Sequence, residues 1–302
     1  MVLGPVVLGT AGGGVHQLFD LFLNGLILGA IYVLLALGLN VILGLIGVIN
    51  FAHAAFYMLG AYLTLSFAPH IGFLPAVAAA AVLVGLLGMA MEVSVIRPLY
   101  RRIPEHALLL TFGLTLVAEQ AVRWHWGDYA KNFDPPSFLA GGFSPGGFTF
   151  PAYRLFVVGA TAVVVGAVWL LLNRTSLGLV IRAGVLDAEM VGALGINVPL
   201  TFTLTFGLGS LLAGLGGAMV GPVAGLNPDM ANSIIILAFV VVVIGGLGSF
   251  WGSVVGGLLV GIFRSVLVYW WSPATELVPF LLMTGLLLVR PRGLFGVEGV
   301  FE

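Results

Sequence analysis

Residues 20–42 read DLFLNGLILGAIYVLLALGLNVI, an apolar run in which Asp20 is the one charged residue. A transmembrane helix needs about 20 mostly apolar residues, because a helix rises ~1.5 Å per residue and the hydrocarbon core is ~30 Å thick. Similar runs follow at 50–68, 74–96, 106–122, 151–172, 198–219, 231–246, 253–270 and 275–289. The sequence therefore predicts an all-α polytopic membrane helix bundle with eight or nine spans.

The composition of the whole chain agrees with a membrane protein. Of its 302 residues, 60% are hydrophobic and 8% are charged, whereas a soluble domain carries about 25% charged residues. The formal net charge is -1 and Lys131 is the one lysine, so the chain offers no basic patch for nucleic acid. The absence of cysteine excludes disulfides and thiolate ligands. We expect residues 1–302 to form a single transmembrane domain in a lipid bilayer.

The distribution of arginine and lysine predicts the orientation, because cytoplasmic loops carry an excess of both residues. If nine spans alternate, one side holds Arg97, Arg101, Arg102, Arg174, Arg182, Arg290 and Arg292, and the other holds Arg123, Lys131 and Arg154. We expect the first side to face the cytoplasm, with the N-terminus extracytoplasmic and the C-terminus cytoplasmic. The loop at about 123–150 then lies outside, and the loop at about 173–197 lies inside.

The loop at 173–197 contains the pattern of a short amphipathic helix. Asp187 is a suitable N-cap and Gly195 a suitable C-terminal stop. The apolar residues that share one face of this helix are Leu186, Met190, Ala193 and Leu194. Such a helix can dock into a groove of a partner or lie at the lipid interface. Interfacial helices usually have a basic polar face, whereas this one carries Asp187 and Glu189, which favours docking.

The sequence lacks a phosphate-binding motif for ATP and a zinc-protease motif. The phosphate-binding pattern GxxxxGK[ST] needs a lysine, and Lys131 lies outside any such pattern. Active transport therefore has to draw its energy from an ion gradient or from a separate ATPase subunit. The chain also lacks the HExxH motif of zinc proteases. We expect no catalytic residue, no metal site and no cofactor.

Ionisable residues within or near the spans are candidate functional groups, because a charge is costly inside a bilayer. We expect Glu92, just before the cytoplasmic arginines, to lie near that interface. Glu119 and Arg123 are four residues apart, which predicts an ion pair on one helix face. Arg264 and Glu276 flank an aromatic belt, and we expect them to snorkel toward the interface. None of these positions is typical of the buried carboxylate relay of an ion-coupled transporter.

A polar stripe opens the second span. Asn50, His53 and Tyr57 are spaced i, i+3 and i+7, so they share one helical face. A polar face on a membrane helix points to the bundle interior or to an aqueous path. Two interpretations remain open: a hydrogen-bond network that joins helices, or the lining of a translocation path. A metal site is not indicated, because no second histidine or carboxylate lies at ligand spacing.

Two glycine-broken segments occur in the two halves of the chain, at 44–50 and at 245–252. Paired interruptions are typical of inverted repeats with a binding path between them, which makes Gly245 and Gly248 candidate path residues. Glycines at this spacing also allow helices to pack closely. Both interpretations remain open, and these breaks also leave the choice between eight and nine spans open.

Five motifs in order resemble the LivH-type permeases of high-affinity branched-chain amino-acid ABC importers, over roughly residues 20–296. They are NFAH at 50–53, RPL at 97–99, RAGVLDAEMVGALGIN at 182–197, AFVVVVIGGLGSFWGSVVGG at 238–257 and RPRGLFG at 290–296. The resemblance implies a transport subunit of the cell (inner) membrane and not an enzyme. It also implies that a coupling segment meets the ATPase through Arg182, Asp187, Glu189, Met190, Leu194, Gly195 and Asn197.

The resemblance further implies the partners of such a permease. They are a second related permease subunit, two ATP-binding cassette ATPase subunits, an extracytoplasmic solute-binding protein and a small amino-acid substrate. Importers of urea and short-chain amides share much of this pattern, so branched-chain amino acids are the first expectation and urea or amides the second. A stand-alone ion-coupled transporter or channel is the alternative from another class, and it would have no need of a cytoplasmic docking helix.

Overall fold

A computed structural model describes residues 14–48, 50–100, 102–143, 150–270 and 275–296 of the chain. Both chain termini, whose sides of the membrane the sequence predicts, lie outside the described residues. The same holds for Ile49 in the first glycine-broken segment and for residues 144–149 in the predicted outer loop.

The described residues form a bundle of α-helices. Their bounds are α1 Gly14–Ile46, α2 Ala52–Ile71, α3 Phe73–Met91, α4 Pro104–Trp126, α5 Ala152–Arg174, α6 Ser176–Ala193, α7 Val198–Ala224, α8 Met230–Gly245, α9 Phe250–Trp270 and α10 Val278–Val289. Two short strands, β1 (Gly142–Phe143) and β2 (Phe150–Pro151), pair antiparallel beside α5. Each predicted apolar run coincides with one helix, and α6 occupies the predicted cytoplasmic loop. The prediction of an all-α polytopic bundle is confirmed.

Five of the described helical segments are long and apolar enough to cross a membrane by length and composition. They are Phe19–Ile46, Phe73–Leu99, Ala152–Arg174, Val198–Ala224 and Phe250–Tyr269. The helices α8 and α10 are apolar but shorter, with 16 and 12 residues. The number of spans, eight or nine, therefore stays a prediction.

The first helix, α1, forms the centre of the bundle. It is mostly buried and packs most extensively against α9, and also against α7. Small residues permit the close approach: a Cβ atom at Gly29 would lie 2.9 Å from the Cα atom of Leu258. In a membrane, where lipid is as apolar as leucine, such close backbone packing is a main source of helix association.

The loops collect at two ends of the bundle. At the first end, Arg97 donates to the carbonyl of Pro199 at 3.3 Å, and Leu45 lies against Gly184. This end carries the described members of the cytoplasmic arginine set: Arg97, Arg102, Arg174, Arg182, Arg290 and Arg292. At the opposite end, the backbones of Lys131 and Leu226 exchange two hydrogen bonds of 2.8 and 2.9 Å. We name the first the arginine-rich end; its facing the cytoplasm stays a prediction.

Candidate functional site

The predicted coupling helix is a separate short helix at the arginine-rich end. Asp187 has extended backbone angles (φ -159, ψ 94) and divides α6 into two helical parts. Its carboxylate accepts a hydrogen bond of 2.8 Å from the backbone N–H of Met190. This is the geometry of an N-cap, in which a side-chain oxygen satisfies a free N–H of the first turn. The prediction that Asp187 caps this helix is confirmed.

The helix ends at Gly195, as the sequence predicts. Gly195 has φ +83, a left-handed conformation that is strained for any residue with a Cβ atom. The N–H of Gly195 donates to Gly192 at 3.0 Å, and the N–H of Ile196 donates to Val191 at 3.4 Å. This pair of bonds is a Schellman motif, which satisfies carbonyls that the helix leaves free. Local sequence alone thus determines both ends of the helix.

This helix and the residue directly before it present an apolar surface. Leu186, Met190 and Leu194 have exposed fractions of 84%, 58% and 73%, whereas Val191 is 4% exposed and anchors the helix to the bundle. Glu189 is exposed beside them. We name Leu186, Glu189, Met190 and Leu194 the coupling surface.

The remaining predicted coupling residues position this segment. Asn197 is the N-cap of α7, because its side-chain oxygen accepts from the N–H of Leu200 at 3.0 Å. Arg182 donates to the carbonyl of Leu172 and, at 3.0 Å, to the side chain of Asn173. Arg182 therefore braces the turn from α5 to α6. The seven predicted residues divide into those that shape the segment and those of the coupling surface.

A buried carboxylate at the arginine-rich end joins α3 to α7, which the sequence did not indicate. Glu92 is fully buried at the end of α3, where the chain forms a π-helical turn over Glu92–Ile96. Its oxygens accept hydrogen bonds from Tyr100 (2.9 Å) and Thr203 (2.8 Å), in addition to those from Arg97. Burial and the hydrogen bond to Glu92 raise the pKa of Tyr100. A π-turn is often found at a functional site.

The three residues of the polar stripe at the start of α2 have different surroundings in the structure. Asn50, His53 and Tyr57 are all buried. His53 Nε2 lies 3.0 Å from the carbonyl oxygen of Leu35 in α1, which supports the interpretation as a link between helices. Both side-chain polar atoms of Asn50, and Nδ1 of His53, have no hydrogen-bond partner among the described residues. Tyr57 instead lines a cavity, and the interpretation as a path residue stays a prediction for it.

The two glycine-broken segments touch each other. A Cβ atom at Gly44 would lie 3.1 Å from the Cα atom of Gly248, and one at Gly245 would overlap the backbone of Gly252. Gly248 has φ +76 and forms the turn between α8 and α9. These contacts support close packing. A role of Gly245 and Gly248 in the path stays a prediction.

Asn40 stabilises this glycine turn through hydrogen bonds, a role that the sequence did not predict. Its amide nitrogen donates to the carbonyl of Ser249 and to the hydroxyl of Ser253, both at 2.8 Å. Its oxygen accepts from the N–H of Gly248 at 2.6 Å. The available signal was an asparagine near the end of the first apolar run, since a buried amide needs partners.

A cavity of about 400 Å³ lies toward the opposite end of the bundle. Its volume is within the ~300–1,000 Å³ range of small-molecule sites. The polar residues that line it are Tyr32, Tyr57, Asn232, Ser233, Arg264 and Glu276. Arg264 donates to the hydroxyl of Tyr32 at 2.8 Å. Arg264 thus has a partner within the bundle, Tyr32 of α1. The expectation that Arg264 and Glu276 snorkel toward the interface stays a prediction.

The predicted ion pair of Glu119 with Arg123 is wrong. Arg123 forms salt bridges with Asp128 and Asp229 at the opposite end. Glu119 accepts a hydrogen bond of 2.9 Å from Asn232 of α8. Spacing along one helix could not reveal Asp229 and Asn232, because both contacts depend on how α4 meets the start of α8 and the residue before it.

Comparison with known proteins identifies the family. The family described as branched-chain amino acid transport system / permease component matches residues 21–289. The high-affinity branched-chain amino acid transport system permease protein BraD of Pseudomonas aeruginosa is 30% identical, over 93% of this chain and 97% of its own. The corresponding protein LivH of Escherichia coli strain K12 is 29% identical, over 90% of this chain and 94% of its own.

A more distant relative is the probable branched-chain amino acid transport permease protein LivH of Methanocaldococcus jannaschii. It is 25% identical over 91% of either chain. No solved structure matches this chain. The family match and the apolar helices together make the chain a multi-pass membrane protein. The resemblance of the five motifs is confirmed: the chain belongs to the family of permease components of branched-chain amino acid transport systems.

Proposed function

We propose that the chain is the membrane-spanning permease subunit of an ABC importer that moves branched-chain amino acids into the cytoplasm across the cell (inner) membrane. The names of its relatives support this substrate class. In the proposed assembly it stands beside a second related permease, with two ATP-binding cassette ATPases on the cytoplasmic side. An extracytoplasmic binding protein delivers the substrate. The N-terminus lies outside and the C-terminus inside.

The coupling surface is the observation that carries this proposal. Met190 and Leu194 expose their apolar side chains on a helix whose two ends are locally determined, and Leu186 exposes its side chain directly before that helix. An apolar helix face of this kind fits a groove on another protein. Its polar neighbours are acidic, whereas lipid-interface helices are rich in lysine and arginine on that face. The ATPase subunit is the proposed occupant of this surface.

The structure also suggests how movement of the coupling surface reaches the bundle. The segment leads directly through Asn197 into α7. In the first turns of α7, the carbonyl of Pro199 accepts a hydrogen bond from Arg97, and the hydroxyl of Thr203 donates one to Glu92. Along its length α7 packs against α1, α2 and α3. A displacement at the coupling surface is therefore transmitted to the helices beside the cavity.

The test is co-purification of the tagged chain from its native membrane, with identification of the bound proteins by mass spectrometry. We expect the wild type and Met190→Leu to bring a second permease and P-loop ATPases. Met190→Arg should lose the ATPases, because a charge then faces an apolar groove. Phe138→Arg is the matched control, since Phe138 is 62% exposed at the opposite end.

Two results would contradict the proposal. Retention of the ATPases by Met190→Arg would overturn the docking role of the coupling surface. A homo-oligomer without any ATPase would favour a stand-alone ion-coupled transporter or channel. Uptake of leucine and of urea by the reconstituted complex then separates the two importer classes, because uptake of urea without leucine assigns the chain to the urea and short-chain amide importers.

A further inference from the structure

The cavity lies toward the end of the bundle opposite the coupling surface. Ala224 and Gly225 line it, directly before Leu226, which pairs with Lys131. Met230 lines it directly after Asp229, which pairs with Arg123. Tyr57 reaches it from within α2 and is buried. A solute that arrives at this end would thus meet the cavity on its way into the bundle.

Two opposite charges line this one cavity. Arg264 comes from α9, and Glu276 comes from the turn before α10. In the described part of the chain, the salt bridges are Glu92–Arg97, Arg123–Asp128 and Arg123–Asp229. Arg264 and Glu276 therefore do not neutralise each other. Tyr32 accepts one N–H of the guanidinium, whose five donors leave others for a ligand.

The rest of the cavity wall is mainly apolar. Helices α1, α7, α8 and α10 contribute Leu28, Ile31, Val220, Ile234, Leu237 and Phe280. An apolar wall beside a few placed polar groups is the usual design of a small-molecule site. The polar groups fix the orientation of the ligand, and the wall removes its apolar part from water.

We propose that this cavity is the permease's own binding site for a zwitterionic amino acid with an aliphatic side chain. Arg264 binds the α-carboxylate, Glu276 binds the α-ammonium, and the apolar wall takes the side chain. Arginine suits this role because its planar guanidinium can bind both oxygens of a carboxylate. The inference rests on the proposed function and names the site at which the imported solute meets this chain. Urea, which is neutral, would need neither charge.

The test uses the full chain in lipid nanodiscs and three ligands of nearly the same shape. Leucine carries both charges, leucinamide lacks the carboxylate, and 4-methylpentanoate lacks the ammonium group. Binding raises the unfolding midpoint of the protein, and at equal ligand concentration the rise is larger for the ligand that binds more tightly. We expect leucine to bind about tenfold more tightly than either analogue, because each analogue loses one charge-assisted contact.

Variants then assign each contact. Arg264→Gln should remove the preference for leucine over leucinamide, and Glu276→Gln should remove the preference for leucine over 4-methylpentanoate. Lys131→Gln is the control, because Lys131 is a cation at the same end that does not line the cavity. Tyr32→Phe keeps the guanidinium of Arg264 but removes the hydroxyl that accepts its hydrogen bond. The unfolding midpoint of each variant without ligand reports whether the variant is folded.

The results separate this inference from the proposed function. Equal stabilisation of the wild type by all three ligands, or by none, would overturn the inference. The same conclusion follows if both variants keep the wild-type preferences. Leucine uptake by the complete reconstituted complex is measured in parallel. If leucine uptake persists in both variants with unchanged KM, the proposed function stands and this binding site is overturned. If the wild-type complex takes up urea and not leucine, the proposed function is overturned.

Discussion

The carboxylate of Glu92 accepts two hydrogen bonds from Arg97, five residues further along the chain, at 3.1 and 2.8 Å. In a regular α-helix, residues five apart point to different sides. The π-helical turn over Glu92–Ile96 brings these two side chains face to face. Because Arg97 also binds Pro199 and Thr203, the pair connects the end of α3 to the first turn of α7. This connection lies next to the coupling segment.

The first prediction concerns the stability of this connection. Glu92→Ala leaves Arg97 and Thr203 without their common acceptor. Loss of one member of a fully buried pair costs about 3–5 kcal/mol, and we expect about 2–3 kcal/mol here because Arg97 is partly exposed. Thr203→Val, which removes one hydrogen bond, should cost about 1 kcal/mol. Unfolding in detergent measures both, and equal stability of Glu92→Ala and the wild type would contradict the role of the pair.

The second prediction compares two glycines in the coupling segment. Gly192 and Gly195 both have room for a Cβ atom, with 3.8 Å to Val198 at Gly192 and nothing within 4 Å at Gly195. Only Gly195 has a positive φ. Gly195→Ala should therefore destabilise by about 1 kcal/mol, and Gly192→Ala should stabilise by up to ~1 kcal/mol.

The readout for these glycine variants is the amount of ATPase that co-purifies with the chain, together with the unfolding midpoint. We expect Gly195→Ala to retain less ATPase and Gly192→Ala to retain the wild-type amount. If the two variants behave alike, the Schellman end of the helix does not position the coupling surface.

The third prediction distinguishes the role of His53 from that of Tyr57 in the polar stripe. His53→Leu removes the hydrogen bond to Leu35 and should lower stability by about 1 kcal/mol. Tyr57→Phe removes only a hydroxyl at the cavity and should change solute uptake while the complex assembles normally. Uptake and unfolding are measured for both variants. If neither variant alters uptake, the stripe has a structural role alone.

The fourth prediction concerns orientation. The chain contains no native cysteine, so a single introduced cysteine reports its own side of the membrane. Ser137→Cys lies in an exposed turn at the opposite end, and Glu189→Cys lies on the coupling surface. We expect an impermeant thiol reagent to label Ser137→Cys in intact cells and Glu189→Cys only after permeabilisation. The reverse pattern would invert the topology.

Predictions from the sequence were most successful where the relevant interactions are local. Asp187 and Gly195 could be recognised as helix ends because their partners, Met190 and Gly192, lie three residues away. The apolar runs were equally readable, since lipid selects for them residue by residue. Long-range partners were not readable: Asn40 binds residues more than 200 positions away, and Arg123 binds Asp229 and not Glu119.

The sequence by itself determined that this protein is a helical membrane permease and where the predicted coupling helix begins and ends, because hydropathy and capping act within a few residues. The tertiary structure alone decided which charges meet. In the folded bundle, Arg264 donates a hydrogen bond to Tyr32, and Arg264 and Glu276 line the same cavity. Such a site is assembled from several helices whose contacts depend on the packing of glycines and side chains across the whole bundle, and no local pattern encodes that geometry.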